Sequence, residues 1–503
     1  MQSGQPAQVT QADVVVIGGG FGGLGCALAL AEAGRRVVVL ERVGYLGGCA
    51  GTFSRHGEQF EAGATLSAGL RPDQLFGRWL ARHNLDVAVQ WLDPVVELRS
   101  ADVQLAVPAQ RSALIATLAQ LAGDRASNVR QFFALQQQVA QALWPVLDDP
   151  TLLPPLNLQA LLRHTARLPQ YLPLLRWLGR PLLEVLEEYG LGDEPHVRLL
   201  CDTACQITVQ CPAAEAEAVL ALATLDYWFA GAAHVVGGIG ALATALGGAI
   251  TGLQSELHLH SGVVGLERSG PHWLVTTRHG QWQTPVVVAN LLPEALSQLL
   301  GPDVAPPRLA ALDRGVQTGW GAFVLYLTLR APPEAGPQAV HLDLTTNPAD
   351  LTLGQHLFLS VSSANDLKAT DGLRTAVLST HVPLQQWRQA GPAQQAELAE
   401  LVYGRMQAGL QQLAPEWATG IQRLQTASPR TWQRFTGRPG GAVGGIPKRA
   451  GLHNYQDLWP RPLLPGLYLV GDSVFPGQSA LATATGGVRT AAHILQSTGV
   501  HHA

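Results

Sequence analysis

The distribution of apolar and polar positions divides the chain into short β-branched runs and longer segments rich in alanine and leucine. Val14–Ile17 and Val37–Leu40 are continuous apolar runs, a pattern typical of strands buried on both faces. Residues 26–33 between them are mostly alanine and leucine, which favour helix, and Gly34 follows as a helix terminator. The pattern predicts a strand, a helix and a second parallel strand, the opening unit of an α/β fold.

Apolar spacing in the rest of the chain alternates between helical and extended patterns. Residues 70–230 are predicted to be mainly helical, with helices at 114–121 and 129–147, and an amphipathic helix is expected at 393–413. Strands are predicted at 257–268, 273–277, 286–290, 320–329, 356–362 and 375–381, and a loop at 431–448. Residues 152–191 combine many leucines and prolines with Arg163, Arg167, Arg176 and Arg180. We interpret this segment as helical packing that also forms a lid over an apolar tunnel.

A glycine-rich turn joins the first strand to the first helix. Gly18 permits the tight turn, Gly20 lets the backbone approach a pyrophosphate, and Gly23 allows the helix and the strand to pack closely. Phe21 and Gly22 lie in the same turn, where the helix N-terminus offers free N–H groups to phosphates. The turn between two such strands therefore predicts a dinucleotide-binding site.

Glu41 follows the second strand, where its carboxylate can accept hydrogen bonds from ribose hydroxyls. The loop after it contains Arg42, Gly47 and Gly48. Its position directly after the acid predicts a second phosphate-contacting segment, made of backbone amides and the Arg42 guanidinium.

A second strand–turn–helix pattern lies near the other end of the chain. Residues 467–470 form an apolar strand that leads into Gly471 and Asp472, and a helix is expected from about Ala482 onwards. This pattern indicates a segment that returns to the same site.

Composition excludes several classes of protein. The net charge of -4 gives no reason to expect nucleic-acid binding. The five cysteines have no regular pairing, so buried thiols in a reducing compartment are expected, and no histidine spacing indicates a metal site. No charged residue lies between Asp226 and Glu256, yet the glycine pairs there favour a turn between buried helices over a membrane span. We expect no signal peptide and a cytoplasmic location.

These motifs resemble the flavin-dependent amine oxidase superfamily and, within it, the phytoene desaturases, carotenoid isomerases and retinol saturases. The resemblance rests on the glycine unit, the Glu-Arg-x(n)-Gly-Gly loop from Glu41 and the Phe-Glu-Ala-Gly-Ala segment at 60–64. Residues 471–478 are closer to the isomerase and saturase branches than to the desaturase consensus. The resemblance covers both ends of the chain, and the middle matches only in pattern. It implies FAD rather than NAD.

The resemblance also implies an architecture. It is an α/β fold with a Rossmann-like, glutathione-reductase-like (GR2-type) FAD-binding domain at 11–95, 233–300 and 455–503. An α+β substrate domain is interleaved with it, with a helical lid at 96–232 and a β-sheet at 301–454. Val264 is expected to contact the adenine through its backbone. Asp472 would accept from a ribityl hydroxyl or act through its amide at the phosphates, and the amides of Ala482 and Thr483 would face the flavin pyrimidine edge.

The function expected first is an FAD-dependent carotenoid desaturase that oxidises carbon–carbon single bonds of a long acyclic polyene. The alternatives are a carotenoid cis–trans isomerase or a retinol-saturase-like enzyme, then a non-enzymatic prenyl-lipid carrier or an amine oxidase. No catalytic residue is assigned. Glu58 and Glu61 are candidates only because they neighbour the cofactor segments, and solvated loop acids are the interpretation we favour. The expected partners are an apolar polyene and, through the lid, the inner face of the cell membrane, while the oligomeric state stays open.

Overall fold

Five parallel strands form a sheet, termed the nucleotide sheet, in the computed structural model, which describes residues 9–154, 156–456 and 458–497. Its strands are, in spatial order, Glu256–His258, Val37–Leu40, Val14–Ile17, Val286–Ala289 and Leu467–Leu469. The first two predicted strands are confirmed with their predicted bounds. The predicted α/β fold with a Rossmann-like unit is also confirmed.

Both faces of the nucleotide sheet are buried, which explains the continuous apolar runs. Val14 and Val16 point into a core formed with the helices Phe21–Glu32, Ile239–Gly252 and Ala480–Ser497. Val15 and Ile17 point into a separate core on the opposite face. The helices Pro293–Leu300 and Pro307–Gln317 contribute to that core, together with a four-stranded sheet of Val9–Gln11, Gln281–Thr284, His272–Thr277 and Val263–Ser269.

A second large sheet, termed the cavity sheet, carries the predicted strands of the substrate region. Its strands are, in spatial order, Ile421–Ala427, Trp320–Leu329, Arg374–Pro383, His356–Val361, Val340–Thr345, Val96–Arg99 and Gln104–Val107, with Ala442–Val443 paired to Trp320–Leu329. One face packs against the helix Pro392–Leu413, through leucines such as Leu325 and Leu357. Side chains alternate along a strand, so the residues between these leucines face the other way. This second face is turned towards the cavity described below.

Helices form most of the segment between residues 111 and 224, as predicted. Their bounds are Arg111–Leu121, Ala126–Asp148, Leu158–Tyr171, Leu182–Glu188, Pro195–Thr208 and Ala218–Thr224. The remaining helices are Leu75–Arg82, Leu384–Gln389, Pro415–Ala418 and Pro429–Thr436. Two small antiparallel sheets pair Thr52–Arg55 with Glu58–Glu61, as a hairpin, and Val89–Trp91 with Ala233–Val235. Within the described ranges, no helix has both the length and the hydropathy to cross a membrane.

Two predicted elements are corrected by the structure. The predicted strand at 257–268 is two strands, Glu256–His258 and Val263–Ser269, which belong to different sheets. The predicted loop at 431–448 begins within a helix, Pro429–Thr436, which starts at a proline in its first turn and ends at Gly437 in the left-handed conformation.

The nucleotide sheet draws its strands from three separate stretches of the chain. We propose on this basis the division already described, with the nucleotide-binding domain at 11–95, 233–300 and 455–503, and the substrate regions at 96–232 and 301–454.

Candidate functional site

A single cavity of about 940 Å³ extends from the carboxyl ends of the nucleotide sheet to the cavity sheet and the helical segment. In open parallel sheets, ligands bind outside these carboxyl ends. Its volume is at the upper end of the ~300–1,000 Å³ typical of ligand pockets. The cavity therefore offers one connected space to a nucleotide and a second ligand.

The glycine turn forms the nucleotide end of this cavity. Gly18, Gly20, Phe21 and Gly22 all line it. Gly20 precedes the helix Phe21–Glu32, and no side chain caps that helix N-terminus. A Cβ added to Gly20 would lie 2.7 Å from the side-chain nitrogen of Asn290. The helix start thus presents backbone N–H groups without a side-chain cap, a cradle that suits a pyrophosphate.

Gly23 has a different role from the other glycines of the motif. It does not line the cavity, and its missing Cβ leaves room for the carbonyl oxygen of Gly18 and, at 3.2 Å, for a methyl group of Val16. The predicted close packing of helix on strand is therefore observed at this position.

Glu41 lies in the cavity wall and is only 7% exposed. Its carboxylate accepts hydrogen bonds from the Gly19 N–H at 2.6 Å and from the Val43 N–H at 2.9 Å. Burial raises the pKa of this carboxyl, and the bonds from the two backbone amides oppose that shift. The side chain thus fixes the glycine turn from a position in the cavity wall, and its contact with a ribose stays a prediction.

The loop after Glu41 closes over the glycine turn. Gly47 pairs with Gly20 in an isolated bridge and donates its N–H to the carbonyl of Gly19 at 2.9 Å. Gly47 and Gly48 have φ of 101° and 61°, a region that favours glycine. Arg42 is exposed at the cavity edge and donates to the carbonyl of Arg434 at 3.3 Å. Arg42, Gly47 and Gly48 all line the cavity, as their predicted role requires.

The carboxy-terminal motif reaches the same cavity, with a partner that sequence reasoning missed. Gly471, Asp472, Ala482 and Thr483 line the cavity. Asp472 forms a 2.6 Å ion pair with Arg438. Arg438 lies in the Thr-Gly-Arg-Pro stretch at 436–439, and only the folded chain brings it to Asp472.

The amides of Ala482 and Thr483 are engaged within the protein. The Ala482 N–H donates to the Ser479 hydroxyl and the Thr483 N–H to the Ser479 carbonyl, both at 3.0 Å. The helix begins at Ala480, earlier than predicted, and Ser479 has a φ of 109°. A ligand at this helix end would therefore meet residues whose amides already have partners.

Val264 is not among the residues that line the cavity. Its side chain is 57% exposed, and Gly262 and Val263 line the cavity instead. The exposed side chain does not test the expected contact of the Val264 backbone with the adenine, which stays a prediction.

Glu58 and Glu61 are not solvated loop acids, and neither lines the cavity. Glu58 accepts from Thr328 at 2.8 Å and pairs with Arg423. Glu61 pairs with the buried Lys368 at 2.6 Å. Both carboxylates hold the hairpin Thr52–Arg55 and Glu58–Glu61 against the rest of the fold, so neither touches a ligand in this cavity.

Asn290 is a further residue of the site that the sequence analysis did not predict. It directly follows the strand Val286–Ala289, lines the cavity, and donates its side-chain amide to the Gly18 carbonyl at 3.3 Å. Its position after a buried parallel strand was the available signal, because such strand ends meet at one edge of the sheet.

The far end of the cavity combines an apolar wall with polar groups on the cavity sheet. The apolar wall consists of helical-segment residues such as Leu143, Trp144, Leu147, Leu174, Leu178, Leu220, Ala223 and Trp228. The sheet contributes His356, which bonds to Asp343 at 3.0 Å, and His381. Burial, followed by the neighbouring His356, lowers the pKa of His381 to about 3, so its imidazole is neutral.

The five cysteines are free, and four of them are buried, as expected from their spacing. In the part of the chain that the structure describes, no group of histidine, cysteine, aspartate and glutamate side chains forms a metal site.

A glycine cradle at the carboxyl end of a parallel sheet, joined to a second cavity, defines the class of dinucleotide-dependent enzymes. The NAD(P)-binding Rossmann-like domain family matches residues 16–82. Prolycopene isomerase 1 of an Oncidium hybrid cultivar is 24% identical, over 99% of this chain and 86% of that protein. Human all-trans-retinol 13,14-reductase is 29% identical over 189 residues, 36% of this chain and 30% of that protein.

The fold is also found among solved structures. An oxidoreductase from Methanosarcina mazei superposes with a TM-score of 0.64 at 16% identity, over 96% of this chain and 100% of that one. Together these findings confirm the resemblance to the family of FAD-dependent carotenoid desaturases, carotenoid isomerases and retinol saturases. They also confirm the expectation of an enzyme of the oxidoreductase type.

Proposed function

We propose that the chain is an FAD-dependent enzyme that isomerises double bonds of an apolar polyene of the carotenoid or retinoid class. The observation that carries the proposal is the single cavity that joins the glycine cradle to an apolar wall. A dinucleotide in the cradle and an apolar substrate against the leucines would share one space.

The residues around the cradle fit FAD. The amides of the glycine turn and of Gly47 and Gly48 would hold the pyrophosphate, and Glu41 would meet the adenosine ribose. Asp472, positioned by Arg438, would meet the ribityl chain. When bound, a flavin supplies the electron exchange that a polyene reaction requires.

The protein's own contribution at the substrate end is shape and exclusion of water. A polyene has few polar groups, so its binding depends on apolar area, at about 25 cal/mol per Å² removed from water. The tryptophans and leucines of the helical segment provide that area.

We rank isomerisation first because the match to an isomerase covers nearly the whole chain. The prolycopene isomerase match spans 99% of this chain. The retinol reductase match spans 36% of it, which favours saturation less. Desaturation of an acyclic polyene, the function expected first from the sequence, remains the second candidate, since it needs the same cofactor and the same cavity.

The experiment that tests the proposal is pigment analysis in a bacterium engineered to accumulate poly-cis or all-trans acyclic carotenoids. Isomerisation predicts a product of unchanged chromophore length and altered cis content, resolved by chromatography and absorbance. A red-shifted product would establish desaturation instead, and a blue-shifted product would establish saturation. Unchanged pigments from a protein that has bound FAD would refute the acyclic carotenoids as substrates.

The cofactor is tested separately on the purified protein. A yellow protein that releases FAD on denaturation, identified by chromatography against standards, is the expected result. A colourless protein that does not take up added FAD would favour the non-enzymatic lipid carrier.

We also propose that the lid contacts a membrane surface. The helix Leu158–Tyr171 and the turn Leu172–Trp177 expose leucines to solvent, and among their residues only Ala160, Leu174 and Trp177 are buried. The exposed leucines are Leu158, Leu161, Leu162, Leu168, Leu172 and Leu175. Leu175 also lines the cavity, so the exposed apolar surface is continuous with the substrate space. Such a surface fits a bilayer that stores an apolar substrate.

The arginines of the lid contribute less to this contact than their number implies. Arg163 pairs with Asp149, and Arg176 and Arg180 pair with Glu188. Since these charges are already matched within the chain, the contact is expected to be apolar rather than electrostatic.

Flotation with neutral phosphatidylcholine vesicles tests this second proposal. The protein should float with the vesicles at low and at high salt, and the double variant Leu162→Ser, Leu172→Ser should stay at the bottom of the gradient. A double variant at two surface positions outside the lid, Gln59→Ser with Gln422→Ser, is the control. Flotation that requires anionic lipid and disappears in salt would contradict an apolar contact.

A further inference from the structure

Gln210 places an unpaired hydrogen-bond acceptor in the wall of the cavity. Its side chain lines the cavity, and the residue is only 3% exposed. The amide nitrogen donates to the carbonyl of Ile207 at 3.3 Å, while Oε1 has no partner within the described residues. Buried polar atoms are nearly always paired in native proteins, so an unpaired atom in a ligand cavity indicates a missing donor.

The backbone of Gln210 is held in a conformation that usually requires glycine. Gln210 follows the helix Pro195–Thr208 and its C-cap, Val209, and has a φ of 67°. Glycine is the common residue at this position after a helix, because it has no Cβ to oppose the left-handed conformation. The indole N–H of Trp320 donates to the Gln210 carbonyl at 2.8 Å and locks the arrangement. A glutamine at this position therefore has a conformational cost that glycine would not have, and it places an amide side chain in the cavity.

Gly444 makes room for this side chain. Gly444 lines the same cavity, and a Cβ added to it would overlap the Gln210 amide. The backbone at Gln210 and the missing side chain at Gly444 thus both accommodate the Gln210 amide.

His381 lines the same cavity and shares two neighbours with Gln210, namely Trp320 and Gln206. The amide nitrogen of Gln206 lies 3.5 Å from His381 Nδ1, and the Trp320 ring packs 5.7 Å from the imidazole, centre to centre. The Gln206 nitrogen can only donate, which makes Nδ1 the acceptor. The proton of the neutral imidazole is then on Nε2, and the residue lines the cavity.

We propose that this corner, formed by Gln210 and His381, binds a hydroxyl group carried by the polyene substrate. A hydroxyl can donate to Gln210 Oε1 and accept from His381 Nε2–H at the same time. A pure hydrocarbon would leave the glutamine acceptor unpaired, and a carboxylate or a ketone has no proton to donate to it. The inference rests on the proposed function, since it specifies which polyenes the site accepts.

Binding of three matched polyenes to the FAD-loaded protein tests the inference. They are all-trans-retinol, its methyl ether and the parent hydrocarbon, titrated while tryptophan fluorescence is recorded. The ether can accept but not donate, so it isolates the bond to Gln210. We expect the alcohol to bind roughly tenfold to a hundredfold more tightly than the ether and the hydrocarbon.

The variant Gln210→Met should remove this preference and leave the affinity for the hydrocarbon equal or improved. Leu220→Met, at the apolar wall of the same cavity, is the control and should change the three affinities in parallel. The wild-type comparison decides the question even if Gln210→Met does not fold.

The outcomes separate this inference from the proposed function. If the wild-type protein binds the ether and the hydrocarbon as tightly as the alcohol, the hydroxyl site is refuted while the polyene function stands. If none of the three binds, and longer carotenoids with and without hydroxyl groups do not bind either, the proposed function itself fails. A preference for the alcohol that survives in Gln210→Met would also refute the role of Gln210.

Discussion

Lys368 is a position at which a single substitution should have a large effect on stability. It is 3% exposed, and its ammonium lies 2.6 Å from Glu61 and 3.9 Å from Asp366. Glu61 also accepts from the Thr52 hydroxyl at 2.8 Å, and that hydroxyl accepts from the Gly240 N–H at 3.0 Å. The network therefore joins the hairpin beside the nucleotide site to the helix Ile239–Gly252.

The substitution Lys368→Met keeps the length of the side chain and removes its charge. Two buried carboxylates then lose their shared cation. At an effective dielectric constant of about 20, a charge pair about 4 Å apart contributes about 4 kcal/mol. Breaking a buried pair by removing one partner costs about 3–5 kcal/mol in measured cases. We expect the free energy of unfolding to fall by about 3–5 kcal/mol.

Urea unfolding, followed by circular dichroism, measures the effect. The double variant Lys368→Met with Glu61→Gln removes both members of the closest pair and should recover at least half of the loss, because the remaining carboxylate, Asp366, keeps its 2.7 Å bond to His234. The reasoning is refuted if Lys368→Met costs less than about 1 kcal/mol, or if the double variant is as unstable as the single one.

Three further predictions follow from the same structure. Gly23→Ala should destabilise the fold by about 1–3 kcal/mol through overpacking. The control is Gly248→Ala, at a helical glycine with nothing within 4 Å of an added Cβ, which should stabilise the fold by about 0.5–1 kcal/mol. Equal shifts of the two thermal unfolding midpoints would contradict the packing role of Gly23. Burial, followed by a neighbouring histidine, lowers the pKa of His341 from 6.5 to about 3, so the unfolded chain binds the proton first and stability is lost as pH falls below about 6.5. The slope is about 1.4 kcal/mol per pH unit for this group, and unfolding measured between pH 7 and 5 should be less steep in His341→Gln. Arg438→Met leaves Asp472 without its ion pair and should weaken FAD binding by roughly tenfold or more, as measured by flavin fluorescence. Unchanged FAD binding would show that the ion pair does not order the site.

Much of the nucleotide end could be predicted because its determinants are local in sequence. Val14–Ile17 and Val37–Leu40 were predicted with their observed bounds, since a strand buried on both faces leaves an uninterrupted apolar run. The glycine turn between them requires glycine for reasons that act within a few residues. The glycine turn, the loop from Glu41, the segment at 60–64 and residues 471–478 together carried the resemblance to the family.

The roles of the acidic residues could not be read from the sequence. Glu58 and Glu61 lie near the cofactor segments in the chain, yet their partners Arg423 and Lys368 are more than 300 positions away. Asp472 likewise meets Arg438 only when a helix and a strand end come together. A carboxylate has the same sequence signal whether it is solvated, paired in the interior or presented to a ligand.

The sequence by itself determined the strand–turn–helix unit and the glycine cradle. Only the tertiary structure decided that the cradle and the apolar wall share one cavity, and that Gln210 and His381 both line it. The physical reason is the range of the interactions. Backbone conformation and burial periodicity are imposed by neighbouring residues, whereas a cavity is formed by side chains from distant segments whose proximity depends on the packing of the whole chain.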